Sequence, residues 1–374
     1  RPWYELAEPD HVGSPALLVV RDRVVRNIDE AIRLAGDPGR LRPHVKTHKS
    51  AEVVRLHLER GVRRFKCATL REAEMLVAAG ARDVLLAYQP VGPAVRRLAA
   101  LAAANRGVRV GCLVDNAGTL DVLDIFAERL GAGIVGYVDL DVGMHRTGIG
   151  PGEGADALYA RLASSRWVEA GGIHAYDGHA TSPDLAERST EAARSRGIAV
   201  AMTERLCAAG LPVPELVIGG TPPFPCHAAA AGEYRVGLQQ ILSLSPGTYT
   251  YFDWGYASTY PDLPFVGAAV VLGRVASAPA AGRFTVDVGS KAISADPAGD
   301  RGLLLNLPGA EPGPQSEEHW VFTIDPAATP AVGSVVYLWP RHICTTVEHY
   351  DRVVVVSSGG AVERSWEVTA RGRD

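Results

Sequence analysis

Short apolar runs alternate with amphipathic stretches along the first two thirds of this chain. Between about residues 15 and 253, a β-branched or aliphatic segment is followed by an Ala-, Arg- and Glu-rich stretch, then by another apolar segment. The strand-like segments are 41–48, 63–69, 83–88, 108–115, 133–142, 168–177, 214–220 and 243–253. Helical periodicity is clearest over 50–61, 70–81 and 185–210. A strand roughly every 20 to 35 residues with a helix between is the spacing of successive βα units. Eight strands in this pattern argue for a closed (β/α)8 TIM barrel over an open sheet, and we assign it to residues 14–255. Near residue 255 the texture changes to short β-rich segments such as FVGAAVVLGRVASAP and SVVYLWP, separated by Gly/Pro/Asp turns. That predicts a C-terminal antiparallel β domain over 256–374, with residues 1–13 packing onto it.

Composition narrows the classes. The 374 residues are 47% hydrophobic with a formal net charge of -4, and mean hydropathy is +0.03 at a pI near 6.3. This balance gives no electrostatic case for nucleic acid or an anionic membrane surface, and no apolar run is long enough to span a bilayer. The opening RPWYELAEPD lacks the apolar core of a signal peptide, and five scattered cysteines fit a reducing compartment, so a cytoplasmic protein is expected.

Three features carry candidate chemistry. RPHVKTHKS, 42–50, ends the first barrel strand, where such barrels place their reaction face. Lys46 stands there among Arg42, His44, His48 and Lys49, a positive crowd that favours the neutral amine able to attack an aldehyde. A lone lysine reads equally as a solvated one on a basic patch. Two Gly-rich turns, Gly219-Gly220-Thr221 and Gly247-Thr248-Tyr249, could bring backbone N–H groups close to a phosphate, or be ordinary βα turns. His342 and Cys344 are spaced i, i+2, so on a strand both would face one way. Two borderline donors suit zinc in an open site, although H-x-C pairs also occur without metal.

Taken in order, RPHVKTHK, FKCAT, DVGMHRTG, YDGH, GGTP, PGTYTYFD and PRHICTT resemble the D-threonine aldolase and D-serine dehydratase family of alanine-racemase-like, fold type III enzymes. The resemblance runs over nearly the whole chain and implies pyridoxal phosphate (PLP) held as a Schiff base on Lys46, not Lys49. It implies that the Gly-rich turns hold the phosphate, that Arg146 contacts the cofactor's phenolic oxygen, and that Tyr176 lies near the pyridine ring. His44 and His48 become neighbours of the cofactor, and His179 a candidate proton relay. PxHxC implies a divalent metal at His342 and Cys344: zinc, as in the dehydratase branch, or manganese or magnesium, as in aldolases that carry aspartate where this chain has Cys344. The implied reaction is retro-aldol cleavage of a D-3-hydroxy amino acid to glycine and an aldehyde. The alternative is D-serine or D-3-hydroxyaspartate dehydration, with a racemase or a non-enzymatic PLP carrier further off. A homodimer is implied as well.

Overall fold

The computed structural model describes residues 1–232 and 241–373. The chain divides into two compact units, one of residues 1–30, 47–50 and 248–371, the other of 31–46, 51–247 and 372–374. The strands in chain order are β1 (Ala16–Val20), β2 (Arg64–Cys67), β3 (Asp83–Leu86), β4 (Arg109–Val114), β5 (Ile134–Asp139), β6 (Val168–Ala175), β7 (Glu215–Ile218), β8 (Ile241–Leu244) and β9 (Ala269–Ala280). They continue as β10 (Arg283–Val286), β11 (Gly302–Leu304), β12 (Glu311–Gln315), β13 (Trp320–Thr323), β14 (Val335–Pro340), β15 (Arg352–Val356) and β16 (Val362–Glu367).

In the second unit β2 to β8 form one parallel sheet in sequence order. The strand expected over 41–48 is reduced to two bridges, Leu41 to Leu244 and His44 to Lys66. Pro43 has no N–H to offer a ladder, and the chain then winds into a 3-10 turn at Val45–Thr47. The segment still closes the ring. The N–H of Arg42 donates to Leu244 O and that of Lys66 to Pro43 O, both at 2.9 Å. The strand expected over 243–253 likewise stops at Leu244, because Pro246 follows.

Burial on both faces explains why the barrel strands read as continuous apolar runs. Inside, the side chains lie in layers. At the strand starts, Arg42, wholly buried, donates to Glu215 at 2.8 and 3.0 Å and to Asp83 at 2.8 Å. The Tyr137 hydroxyl (2.6 Å) and that of Ser243 also donate to Glu215. Leu85, Leu113, Val135, Tyr137 and Val217 pack together as an apolar cluster. Near the strand ends the lining turns polar again, with Lys66, Asp139 and His174.

A bulge prepares that last layer. Gly136 pairs with Ala170 but Tyr137 with Gly172, so β6 carries one extra residue. Gly172 has φ +142, and a Cβ there would stand 1.9 Å from Glu215 O. Beyond the bulge the register sets His174 opposite Asp139.

The first unit is a mixed sheet in the order β12-β13-β10-β9-β1-β15-β16, with β14 joining β9 to β11. Its pairs are antiparallel except β1 with β15, where Leu18 aligns with Val354. Residues 16–20, which the sequence texture placed in the barrel, are thus an inner strand of this sheet. The contacts divide the chain elsewhere than at 14 and 255.

Candidate active site

Within 41–50, Lys46 is an exposed residue in a buried run; His44 is half-buried and the others are buried. Its backbone N–H donates to His44 Nδ1 at 3.2 Å, fixing the turn that projects it. The crowd of positive charge expected from the sequence is not what surrounds it. Arg42 points to the strand starts, where burial opposes its charge but Glu215 and Asp83 hold it firmly protonated. Lys49, only 4% exposed, is paired with Glu348 at 3.0 Å, so it is not an available nucleophile. Lys66, which drew no notice inside FKCAT, is the buried amine whose proton affinity the charge of Lys46 lowers.

The loop carrying Arg146 is built on Asp141. Its carboxylate accepts from the N–H groups of Gly143 and His145, both at 3.0 Å, and lies 2.8 Å from His145 Nδ1. Asp141 N–H then donates to Ile149 O (3.0 Å) and Ile149 N–H to Asp139 O (2.8 Å), drawing 141–149 into a tight return. Gly148 (φ +98) sits at the crossing, where a Cβ would meet Asp141 N at 2.9 Å. Arg146 does not pair with Asp139 or Asp141, which are engaged within this frame. Its guanidinium lies over the Tyr176 ring, 5.1 Å from the centroid.

Tyr176 is walled by glycines. A Cβ on Gly178 would be 2.3–2.5 Å from its ring, and one on Gly220 3.3 Å away. Asp177, missed in the sequence, meets His227 at 2.7 Å with both side chains fully buried, tying the loop after β6 to the turn after β7. In that turn Gly219 has φ +93, and Thr221 Oγ1 accepts from Gly247 N–H at 3.1 Å, joining the two Gly-rich turns. Thr248 and Tyr249 belong to the other unit, where Tyr249 is buried against Phe265 at 5.4 Å between centroids. His179 faces the helix Leu185–Ala208 through Glu191, 2.8 Å away. A projecting amine, glycine turns and a ring with no room for a Cβ beside it fit pyridoxal phosphate.

In the first unit, His342 and Cys344 are not on a strand. His342 has extended backbone and caps the short helix Ile343–Val347, so Cys344 lies in its first turn, beyond the end of β14 at Pro340. The two side chains still meet. A hydrogen bond to Cys344, with Asp296 beside it, raises the His342 imidazolium to about 9. Asp296 Oδ2 accepts from His342 Nδ1 at 2.6 Å, and the Ser294 and Thr345 hydroxyls hold Asp296 in turn. Asp253, whose burial pushes it up to about 6, accepts from the N–H groups of Tyr256 (2.9 Å) and Ile343 (3.0 Å), fixing the start of the turn. A cavity of about 330 Å³ opens at His342, lined also by Tyr256, Tyr260 and Arg341. Among the described residues no three His, Cys, Asp or Glu gather into a metal cage. One nitrogen and one sulfur therefore fit a borderline divalent ion only with other coordination positions left open. A larger groove, about 750 Å³, lies among Arg82, Arg106, Arg109 and Trp167 at the strand starts and contains none of the expected residues.

A parallel barrel with a projecting strand-end lysine, in a chain that also carries a mixed β sheet, defines an alanine-racemase-like protein. Residues 19–240 match the alanine racemase N-terminal domain, and 268–356 a putative serine dehydratase domain. The chain is 33% identical over 346 residues to D-threonine aldolase of Arthrobacter sp, covering 89% of this chain and 85% of that one. It is 29% identical to D-threo-3-hydroxyaspartate dehydratase of Delftia sp. (strain HT23), over 95% of this chain and 97% of the relative. The crystal structure of D-threonine aldolase from Filomicrobium marinum superposes with a TM-score of 0.88 at 29% identity, covering 96% of each chain. The protein belongs to the alanine-racemase-like family, in its D-threonine aldolase and D-serine dehydratase branch, and is a lyase. Members of this family are pyridoxal phosphate-dependent.

Proposed function

We propose that this lyase cleaves D-3-hydroxy amino acids between Cα and Cβ, giving glycine and an aldehyde, with pyridoxal phosphate on Lys46 and a divalent ion at His342 and Cys344. The observation that carries the reading is the exposed Lys46 in a buried strand-end run, in a barrel whose later strand ends carry the Tyr176 and glycine cradle. Bound pyridoxal phosphate supplies an electron sink for the charge left at Cα. Lys46 anchors it covalently, Gly219, Gly220, Thr221 and Gly247 offer close backbone to its phosphate, and Tyr176 presents a flat face without a carboxylate. Arg146 presents a planar cation to an oxyanion at that ring. A divalent ion on His342 and Cys344 supplies Lewis acidity for the β-hydroxyl. His179, backed by Glu191, is suited to accept a proton and pass it on.

Asp296 positions His342: by fixing Nδ1 as a donor it leaves Nε2 as the lone pair for a metal. Asp296→Ala is expected to weaken zinc or manganese binding about 10- to 100-fold, measured by titration against a competing chelator. Unchanged metal affinity would remove Asp296 from this role.

A second reading, dehydration to a keto acid and ammonia, is favoured by the similarity to the Delftia dehydratase over nearly its full length. The holoenzyme, incubated with D-threonine, D-serine and D-threo-3-hydroxyaspartate, is expected to release glycine without ammonia. It should lose that activity on rigorous chelation and regain it with added metal. Ammonia as the main product selects the second reading, and activity indifferent to chelation rejects the metal.

A further inference from the structure

Lys66 has no part in the reading above, yet it is a buried amine that, among the described residues, has no carboxylate within ion-pair distance; Asp139 and Asp177 act on it only from further off. It is 2% exposed, with Nζ 3.5 Å from His174 Nε2 and 5.7 Å from the Tyr176 ring centroid. Among the described residues its amine forms no ion pair. His174 cannot neutralise it. Its Nδ1 donates to Asp139 Oδ1 at 2.7 Å, while Thr147 Oγ1 donates to the other carboxylate oxygen at 2.9 Å. With Nδ1 a donor and burial lowering the imidazole's proton affinity, Nε2 is an acceptor and takes one N–H of the amine. The remaining N–H groups are left without a described partner. Arg146 lies over the same Tyr176 ring and also forms no ion pair among the described residues. Burial and then the charge of Lys46 bring the Lys66 ammonium down to about 7, against the weaker opposing pull of Asp139 and Asp177. Two cationic side chains meet at one ring, Arg146 from the exposed loop and Lys66 from inside the barrel, and holding the buried one charged without an ion pair is unfavourable by several kcal/mol in general terms.

We propose that Lys66 joins Arg146, whose place at this oxygen belongs to the reading above, as a second cation seating the 3-oxygen of the pyridoxal phosphate held on Lys46. This rests on the assignment of Lys46 made above. The chemistry selects that oxygen. It is attached directly to a ring carbon flanking the one that carries the aldehyde, so it is the cofactor's anionic group nearest the Lys46 amine. The phosphate, on the other flanking carbon, is set further off by its methylene and ester oxygen. Asp139 and Thr147 are positioning residues, since they fix the tautomer of His174 and through it the direction of the Lys66 amine.

The test measures binding to the apo protein of pyridoxal phosphate and of its 3-deoxy analogue, which keeps the aldehyde and phosphate but lacks the oxygen. Lys66→Met is expected to weaken pyridoxal phosphate about 10-fold while leaving the analogue within about twofold, and Lys66→Arg to restore most of the difference. Equal loss for both ligands, or none for either, overturns the proposal. So does unchanged cofactor affinity with weakened binding of a D-amino acid, which would give Lys66 to the substrate carboxylate. Should the methionine variant melt early, Lys66→Gln, which keeps a donor toward His174, replaces it under the same criteria. If wild type takes up no cofactor, or Lys46→Ala takes it up equally well, the assignment beneath this one fails instead.

Discussion

Lys46→Ala is expected to give a folded, colourless protein that does not retain pyridoxal phosphate through dialysis and has lost activity by on the order of 10^4-fold or more. The side chain projects from a run whose neighbours are buried, so its removal takes little from packing and the melting temperature should stay near wild type. What is lost is the covalent attachment. Lys49 cannot substitute, because its amine is buried against Glu348. Lys46→Arg separates charge from covalency. It restores the positive group but not an amine that can form an imine, and should be as inactive as alanine. A yellow, active Lys46→Ala protein would end the interpretation of the barrel as a cofactor site.

Much of this frame was legible because a barrel strand, buried on both faces, writes itself as an unbroken apolar run. IVGYVD and ELVI could be placed from composition alone, and the helices Ala51–Glu59, Leu70–Ala79 and Leu185–Ala208 fall within their predicted stretches. ALLVV at 16–20 was not among those runs and lay on the barrel side only through the limit drawn at 14. A strand central to the β sheet is equally apolar, and only its remote partners, Val354–Val356 and Ala269–Leu272, decide which sheet it joins. At 41–48 the apolar pattern was present but Pro43 removed a donor, so the position is filled by bridges. The H-x-C pair was recognisable as a donor set, yet spacing i, i+2 does not distinguish a strand from a capped turn. Lys66 left no signal at all. A lysine between Phe65 and Cys67 looks like the polar half of an alternating strand, whereas closure of the barrel turns that half inward. Asp139 and His174 are 35 residues apart and become partners only through the Gly171–Gly172 bulge.

The largest stability effect is expected from the polar layer at the strand starts. Glu215→Leu should lower stability by about 3–5 kcal/mol. At this size that corresponds to a fall in melting temperature on the order of 10 °C. Glu215 accepts from Arg42, Tyr137 and Ser243 together; burial would raise its carboxyl, but Arg42 and these hydroxyls hold it below the usual range. Without it, Arg42 keeps Asp83 at 2.8 Å, but a fully buried guanidinium loses its bidentate partner and two hydroxyls lose their acceptor. The penalty belongs to the stranded charge more than to the missing bond, and that distinction can be measured. The double variant Arg42→Met/Glu215→Leu removes charge and partner together, so it should be more stable than Glu215→Leu alone despite carrying an additional core substitution. If the single variant melted within about 2 °C of wild type, or the double variant melted lower still, the layer would not be a charge-paired plug but an ordinary packed one.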